Sequence, residues 1–162
     1  FRSCEAGESW SWDGVEFRVL HPPSSKSFRK ANDNSCVLQV SNRHWSLLLA
    51  GDVEDEGEGS LLTRVGKGLG AQILVAPHHG SSTSSSEAFV QAVKPSWVIF
   101  STGYRNRYGF PRRSVVERWR DAGAVTIDSA RAGAVGFQVY ADRRSPRITK
   151  QRELKRRYWQ TR

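Results

Sequence analysis

Two short segments place polar, metal-capable side chains directly after apolar runs, the positions where layered α/β folds build their sites. In Leu47-Leu48-Leu49-Ala50-Gly51-Asp52 a carboxylate follows a buried-strand pattern, and the glycine before it lets the chain reach back over a sheet edge. Aspartate is a hard oxygen ligand that could bridge two cations. Taken alone, Gly-Asp more often marks a turn residue that satisfies backbone amides. In Ala76-Pro77-His78-His79-Gly80-Ser81 a second apolar run ends on adjacent histidines. Neutral imidazole suits Zn, Mn or Fe and also serves as acid or base. Adjacent histidines point in different directions, so one turn can supply both a ligand and a substrate contact, or be no more than a titrating surface turn. The serines of 81–86 offer hydroxyl nucleophiles beside them, but no Gly-x-Ser-x-Gly elbow accompanies the run, and polyserine is commonly loop or helix cap.

The elements that must position these residues follow from periodicity. Residues 15–20 alternate as a strand and stop at Pro22-Pro23, and 24–34 is a polar, basic loop. Residues 36–40 and 45–50 form a hairpin around Ser41-Asn42-Arg43. An acidic loop spans 53–59, and Leu61, Leu62, Val65 and Leu69 predict a helix over 60–67. The short runs 73–76 and 97–101 read as strands buried on both faces. A helix capped by 84–86 runs through Val93, a polar aromatic loop covers 103–110, and a helix from Pro111 to Ala122 presents Val115, Val116 and Trp119. Strands at 124–127 and 134–140 complete an α/β domain in which helices cover a sheet.

Composition bounds the partners. The chain has 162 residues with 25 Lys and Arg against 16 Asp and Glu, a net charge of +9 that favours polyanions such as nucleic acid or an anionic lipid surface. Nine of those cations, and one Glu, fall in 143–162. This stretch reads as a basic tail, either solvated or in contact with nucleic acid through Arg143, Arg144, Arg147, Lys150, Arg152, Lys155, Arg156 and Arg157, with Leu154 and Tyr158 spaced to anchor a short helix. Cys4 and Cys36 are too few for a disulfide scaffold; they form either one bridge or two buried thiols. No run approaches the roughly 20 apolar residues of a membrane helix. With no methionine, even at position 1, the sequence is expected to be a piece of a longer protein.

In order and spacing, Asn34-x-Cys36-Val37-Leu38, the Leu47–Glu54 stretch with Gly51-Asp52-x-Glu54, Pro77-His78-His79-Gly80-Ser81 and Tyr104-Arg105-Asn106-Arg107-Tyr108-Gly109 resemble the ComEC family of DNA-uptake proteins. The segment from Cys4 to Val15 resembles that family's entry strand, and the resemblance covers about residues 4–140. It implies a metallo-β-lactamase-like αββα sandwich of which residues 1–142 are the second half, the first half being a missing partner. It implies a metal-dependent nuclease attached to an inner-membrane channel for DNA, on the extracytoplasmic side. The alternatives are a non-catalytic DNA-guiding module, or a hydrolase of the same fold with another phosphodiester substrate. The resemblance makes Asp52 and His78 ligands of a divalent metal, Mn or Zn, with two ions expected in the intact domain and this piece metal-poor. It makes His79 the proton donor or substrate contact, and Asn34, Ser81, Tyr104 and Asn106 the groove lining. Two departures stand out: the superfamily's His-x-His-x-Asp-His cluster is absent, and Phe110 stands where many relatives carry histidine before Pro111.

Overall fold

A computed structural model describes residues 4–140 and 145–155. The strands are β1 (Ser9–Trp12), β2 (Val15–His21), β3 (Val37–Ser41), β4 (Ser46–Leu49), β5 (Ile73–Val75), β6 (Trp97–Phe100), β7 (Val125–Asp128), β8 (Val135–Gln138) and β9 (Arg147–Lys150). The helices are α1 (Asp55–Val65), α2 (Glu87–Val93), α3 (Arg113–Asp121), α4 (Ser129–Ala132) and α5 (Gln151–Leu154). The first seven strands lie in chain order in one mixed sheet, and β8 pairs with β9. β1 to β4 are antiparallel neighbours, while β4 to β7 run parallel. Asp13 and Gly14 both take positive φ between β1 and β2, the backbone that a two-residue hairpin turn requires.

The helices cover one face of the sheet. Leu48, Leu74 and Val98, at successive positions across β4, β5 and β6, are fully buried in one cluster with Leu61 of α1, Phe89, Val90 and Val93 of α2, and Val115 and Trp119 of α3. Each such side chain contributes roughly 1.5–3 kcal/mol by leaving water, so this cluster dominates folding. The opposite face is also apolar. One row runs Trp10, Phe17, Val40, Leu47, Ile73, Trp97, Val125 from strand to strand, and a second runs Val19, Leu38, Leu49, Val75, Ile99, Ile127. Many of these residues are only half-buried. Around Trp97 they are covered by Trp45 and by Phe137 of β8, at ring separations of 5.9 and 6.2 Å.

The layered α/β reading holds at this level, and the structure adds three points. First, α1 begins at Asp55, not at residue 60. The acidic stretch read as loop is its first turn, where carboxylates favour the helix dipole, and a distant residue caps it: Asp33 Oδ1 accepts the amides of Glu54 and Gly57, both at 2.9 Å. Second, Cys4 and Cys36 are bridged, with Cα atoms 5.9 Å apart. Third, the described part of the basic tail holds a strand as well as a short helix. Residues 147–150 form a strand against β8, and the helical turn α5 follows. Arg143, Arg144, Arg156, Arg157 and Tyr158 lie outside the described residues.

Candidate functional site

The parallel strands end together, and the segments that follow them meet along one edge of the sheet. Asp52 follows β4, the histidine pair follows β5, the 103–110 loop follows β6, and β7 ends on Asp128. The turns are tight for stated reasons. Gly51 has φ +59°, and a Cβ there would meet the Cys36 carbonyl oxygen and Ser35 Cβ at 2.9 Å. Its own carbonyl accepts the His78 amide at 3.0 Å, tying the end of β4 to that of β5. Gly80 has φ +85° and sits against Phe100 and Pro111, which a Cβ would approach to 2.7 Å. Between them His78 and His79 both take left-handed backbone, at φ 46° and 55°. That conformation is costly for side chains other than glycine and persists where the surroundings enforce it, commonly at functional sites.

The two imidazoles face different carboxylates. His79 Nε2 stands 3.5 Å from Asp52 Oδ1, and both side chains are about half exposed, at 47% and 45%. His78 Nδ1 is 3.2 Å from Glu54 Oε1, while its Nε2 is 3.5 Å from the Asn32 amide nitrogen. The sequence paired Asp52 with His78 as metal ligands; the structure brings His79 to Asp52 and turns His78 to Glu54. Glu54 is nearly buried, and accepts from Lys30 Nζ at 2.8 Å and Asn32 Nδ2 at 2.9 Å. The Lys30 hydrogen bond holds its carboxyl below the usual range, against burial that pushes it up, with Asn32 adding to the downward pull. The same bond raises Lys30. Glu54, Asn32 and Lys30 were not assigned roles from sequence, although the Asp52-x-Glu54 spacing was the available signal for the first.

The other expected contacts are engaged within the protein. Asn34 donates to the Phe28 and Lys30 carbonyls at 2.8 and 2.9 Å and accepts the Phe28 amide at 2.9 Å, so it shapes its own loop. Ser81 is buried, with Oγ 3.0 Å from Thr83 Oγ1. Asn106 Nδ2 donates to the Phe110 carbonyl at 2.7 Å and Oδ1 accepts the Phe110 amide at 2.9 Å. Tyr104 is 54% exposed. The remaining serines serve architecture. Ser86 caps α2, and the Ser85 and Ser86 amides donate to the buried Glu58, whose carboxyl burial pushes up.

As a metal site the donor set is incomplete. Among the described residues no group of three or more His, Cys, Asp or Glu is placed to hold an ion. Asp52 and His79 supply two donors, and Glu54 is taken up by Lys30 and Asn32. A stable divalent site needs about four ligands or more, so the residues present do not fit one unaided.

The class of protein so defined is a mixed α/β sheet with helices on one face and a polar, histidine-bearing edge at the ends of its parallel strands. Its similarity to known proteins lies among competence proteins. It is 41% identical over 136 residues to competence protein ComA of Neisseria gonorrhoeae, covering 84% of this chain and 19% of that protein. It is 36% identical over 140 residues to recombination protein 2 of Haemophilus influenzae, 86% of this chain and 17% of that one, and 36% identical over 103 residues to ComE operon protein 3 of Bacillus subtilis, 64% and 13%. The chain thus spans under a fifth of the length of these relatives. No family model matches. These findings correct the resemblance drawn from sequence: they support likeness to ComA- and ComE-type competence proteins, and the assignment to a metallo-β-lactamase-like domain of the ComEC family is set aside. No helix among the described residues is long and apolar enough to cross a membrane.

Proposed function

We propose that this chain is a DNA-guiding module of a DNA-uptake protein, holding DNA through its phosphates without cleaving it. The observation that carries this reading is the similarity to competence proteins over 84–86% of the chain, joined to a net charge of +9. Cations that neutralise phosphates release condensed counterions, giving affinity that ignores sequence and falls steeply with salt. In this reading its neighbour is a membrane channel part of a longer uptake protein. The Cys4–Cys36 bridge fits a position facing an oxidising, extracytoplasmic space.

The test is fluorescence anisotropy with mixed-sequence oligonucleotides between about 50 and 200 mM salt, where several phosphate contacts predict a loss of orders of magnitude in affinity. Affinity that is absent, or insensitive to salt, refutes the reading.

A second reading has one observation in its favour, the open Asp52–His79 pair at the strand ends. In it the pair contributes to a phosphodiesterase centre, with divalent Mn or Zn, whose other ligands come from outside these 162 residues. Asp52→Ala and His79→Ala in the full-length protein separate the readings. Loss of DNA cleavage with DNA binding retained supports the second.

A further inference from the structure

We infer that the cleft between the 103–110 loop and the α4–β9–α5 layer is a groove for single-stranded nucleic acid, with unpaired bases stacking on Tyr104 and phosphates meeting Arg105 and Arg131. The inference rests on the DNA-guiding reading and adds a place and a strand state to it.

The cleft has a volume of about 760 Å³, and its lining includes the cations Arg105, Arg113, Arg120, Arg131 and Lys150 against two acids, Asp128 and Glu153. Those acids are already engaged. Asp128 accepts from the Thr102 hydroxyl and from the Ala130 amide, capping α4, and Glu153 holds Lys150 at 3.0 Å. Arg113 is bound by Glu117 at 2.7 Å. Among the described residues Arg105 and Arg131 have no acidic partner, so their charge faces whatever enters.

Aromatic rings alternate with these cations. Tyr104 and Tyr108 are 54% and 55% exposed. Arg105 lies over the Tyr104 ring at 5.3 Å and Arg107 over the Tyr108 ring at 4.9 Å. Tyr108 stacks on Phe110, a lining residue, at 5.7 Å with planes 20° apart, and Phe110 meets the His78 ring edge-on at 5.7 Å. A ladder of rings thus runs from the exposed loop to the histidine edge. The platform is held in advance: Asn106 binds Phe110 through both its amide and its carbonyl, and Arg152 donates to the Ala130 carbonyl while lying 5.9 Å from the Tyr104 ring.

Exposed rings beside guanidinium groups are what unpaired bases and their phosphates require, since every base has a π-face and stacking tolerates any sequence. Paired bases keep those faces inside the duplex, and a cleft of this volume admits a nucleotide, not a double helix. Single strands are therefore the ligand class that this surface favours.

The experiment uses the whole chain and three fluorescent probes of equal length at one salt concentration: a single strand, its duplex and an abasic strand. The expected result is that the single strand binds roughly tenfold or more tighter than the abasic strand, the range that base–aromatic stacking supplies. Tyr104→Ala should erase most of that difference, Tyr104→Phe should keep it, and Arg131→Glu should weaken all three probes. Equal affinity for the single and abasic strands overturns the groove, and this comparison needs no variant and so no assumption about folding. DNA binding that persists under that outcome leaves the guiding function standing. Binding of none of the three overturns both.

Discussion

Removing the Asp33 carboxyl should be costly, while keeping its oxygen should not. Asp33 is fully buried, and its Oδ1 accepts the amides of Glu54 and Gly57, the first donors of α1. Its Oδ2 is buried with no partner. Asp33→Ala strands two buried amides. Each hydrogen bond is worth roughly 0.5–1.5 kcal/mol, and an abandoned buried donor costs roughly 1–3 kcal/mol, giving a loss of about 2–4 kcal/mol. For a chain of this length 1 kcal/mol moves Tm by roughly 2–4 °C, so the midpoint should fall by about 4–16 °C. Asp33→Asn retains the accepting oxygen and should cost well under half as much. Gly57→Ala tests the same contact from the other side. Alanine improves helix propensity by about 1 kcal/mol, yet its Cβ would meet Asp33 Oδ1 at 3.0 Å and Val53 Cβ at 3.1 Å, so it should destabilise. Calorimetry or urea unfolding measures all three. Equal losses for alanine and asparagine, or a stabilising Gly57→Ala, would refute the capping account.

Other expectations follow from the same geometry. Reducing Cys4–Cys36, which are 32 residues apart in sequence, should cost about 3–4 kcal/mol by loop entropy, read as the difference in urea unfolding with and without reductant; a loss under about 1 kcal/mol would remove the bridge from the account of stability. His21 is buried, donates from Nε2 to the Asp33 carbonyl at 2.7 Å and faces Arg64 at 3.2 Å through Nδ1, and burial is the main cause of its lowered pKa. Its neutral form belongs to the fold, so its contribution is complete above about pH 6.5 and is lost as pH falls through the lowered value, by no more than about 1.4 kcal/mol per pH unit; His21→Gln should flatten urea midpoints between pH 7.5 and 5.5, and an unchanged slope would assign the acid sensitivity elsewhere. Gly80→Ala should destabilise by about 2–4 kcal/mol, through positive φ and overlap with Phe100 and Pro111, and a thermal midpoint equal to the parent's would count against the tight turn.

What could be read in the sequence was what local pattern encodes. The apolar runs became β4, β5 and β6, the spacing of Val115 and Trp119 marked the buried side of α3, and the serines before α2 supplied its cap at Ser86. The start of α1 was not legible, because its cap is Asp33, more than twenty residues upstream and brought there by folding. Nor was the pairing of the histidines. Their partners depend on two successive left-handed residues, and sequence gives no rule for where such side chains turn. The strand β9 was hidden by charge: Arg147 and Lys150 flank Ile148 and Thr149, and that pairing with β8 outweighs the solvated appearance of the segment.

That strand changes how the positive charge should be understood. The sequence separates an aromatic loop at 103–110 from a basic end some forty residues later, and nothing local connects them. In the fold, β9 pairs with β8, and Arg152 reaches the Ala130 carbonyl beside Gly133, whose missing Cβ leaves room for the Arg152 side chain, since a Cβ there would come within 2.9 Å of it. Lys150 of β9 and Glu153 of α5 then face the loop that carries Tyr104 and Arg105 across one cleft. Charge and architecture are therefore mixed at the chain's end. Deleting everything after residue 142 would remove β8's partner and a wall of the cleft together with the cations, so a loss of DNA affinity there would not say which mattered. Of the cations that line the cleft, Arg113, Arg120 and Lys150 each hold a hydrogen bond, whereas Arg105 and Arg131 make none among the described residues, so replacing these two changes the electrostatic attraction with no loss of a hydrogen bond that holds the fold.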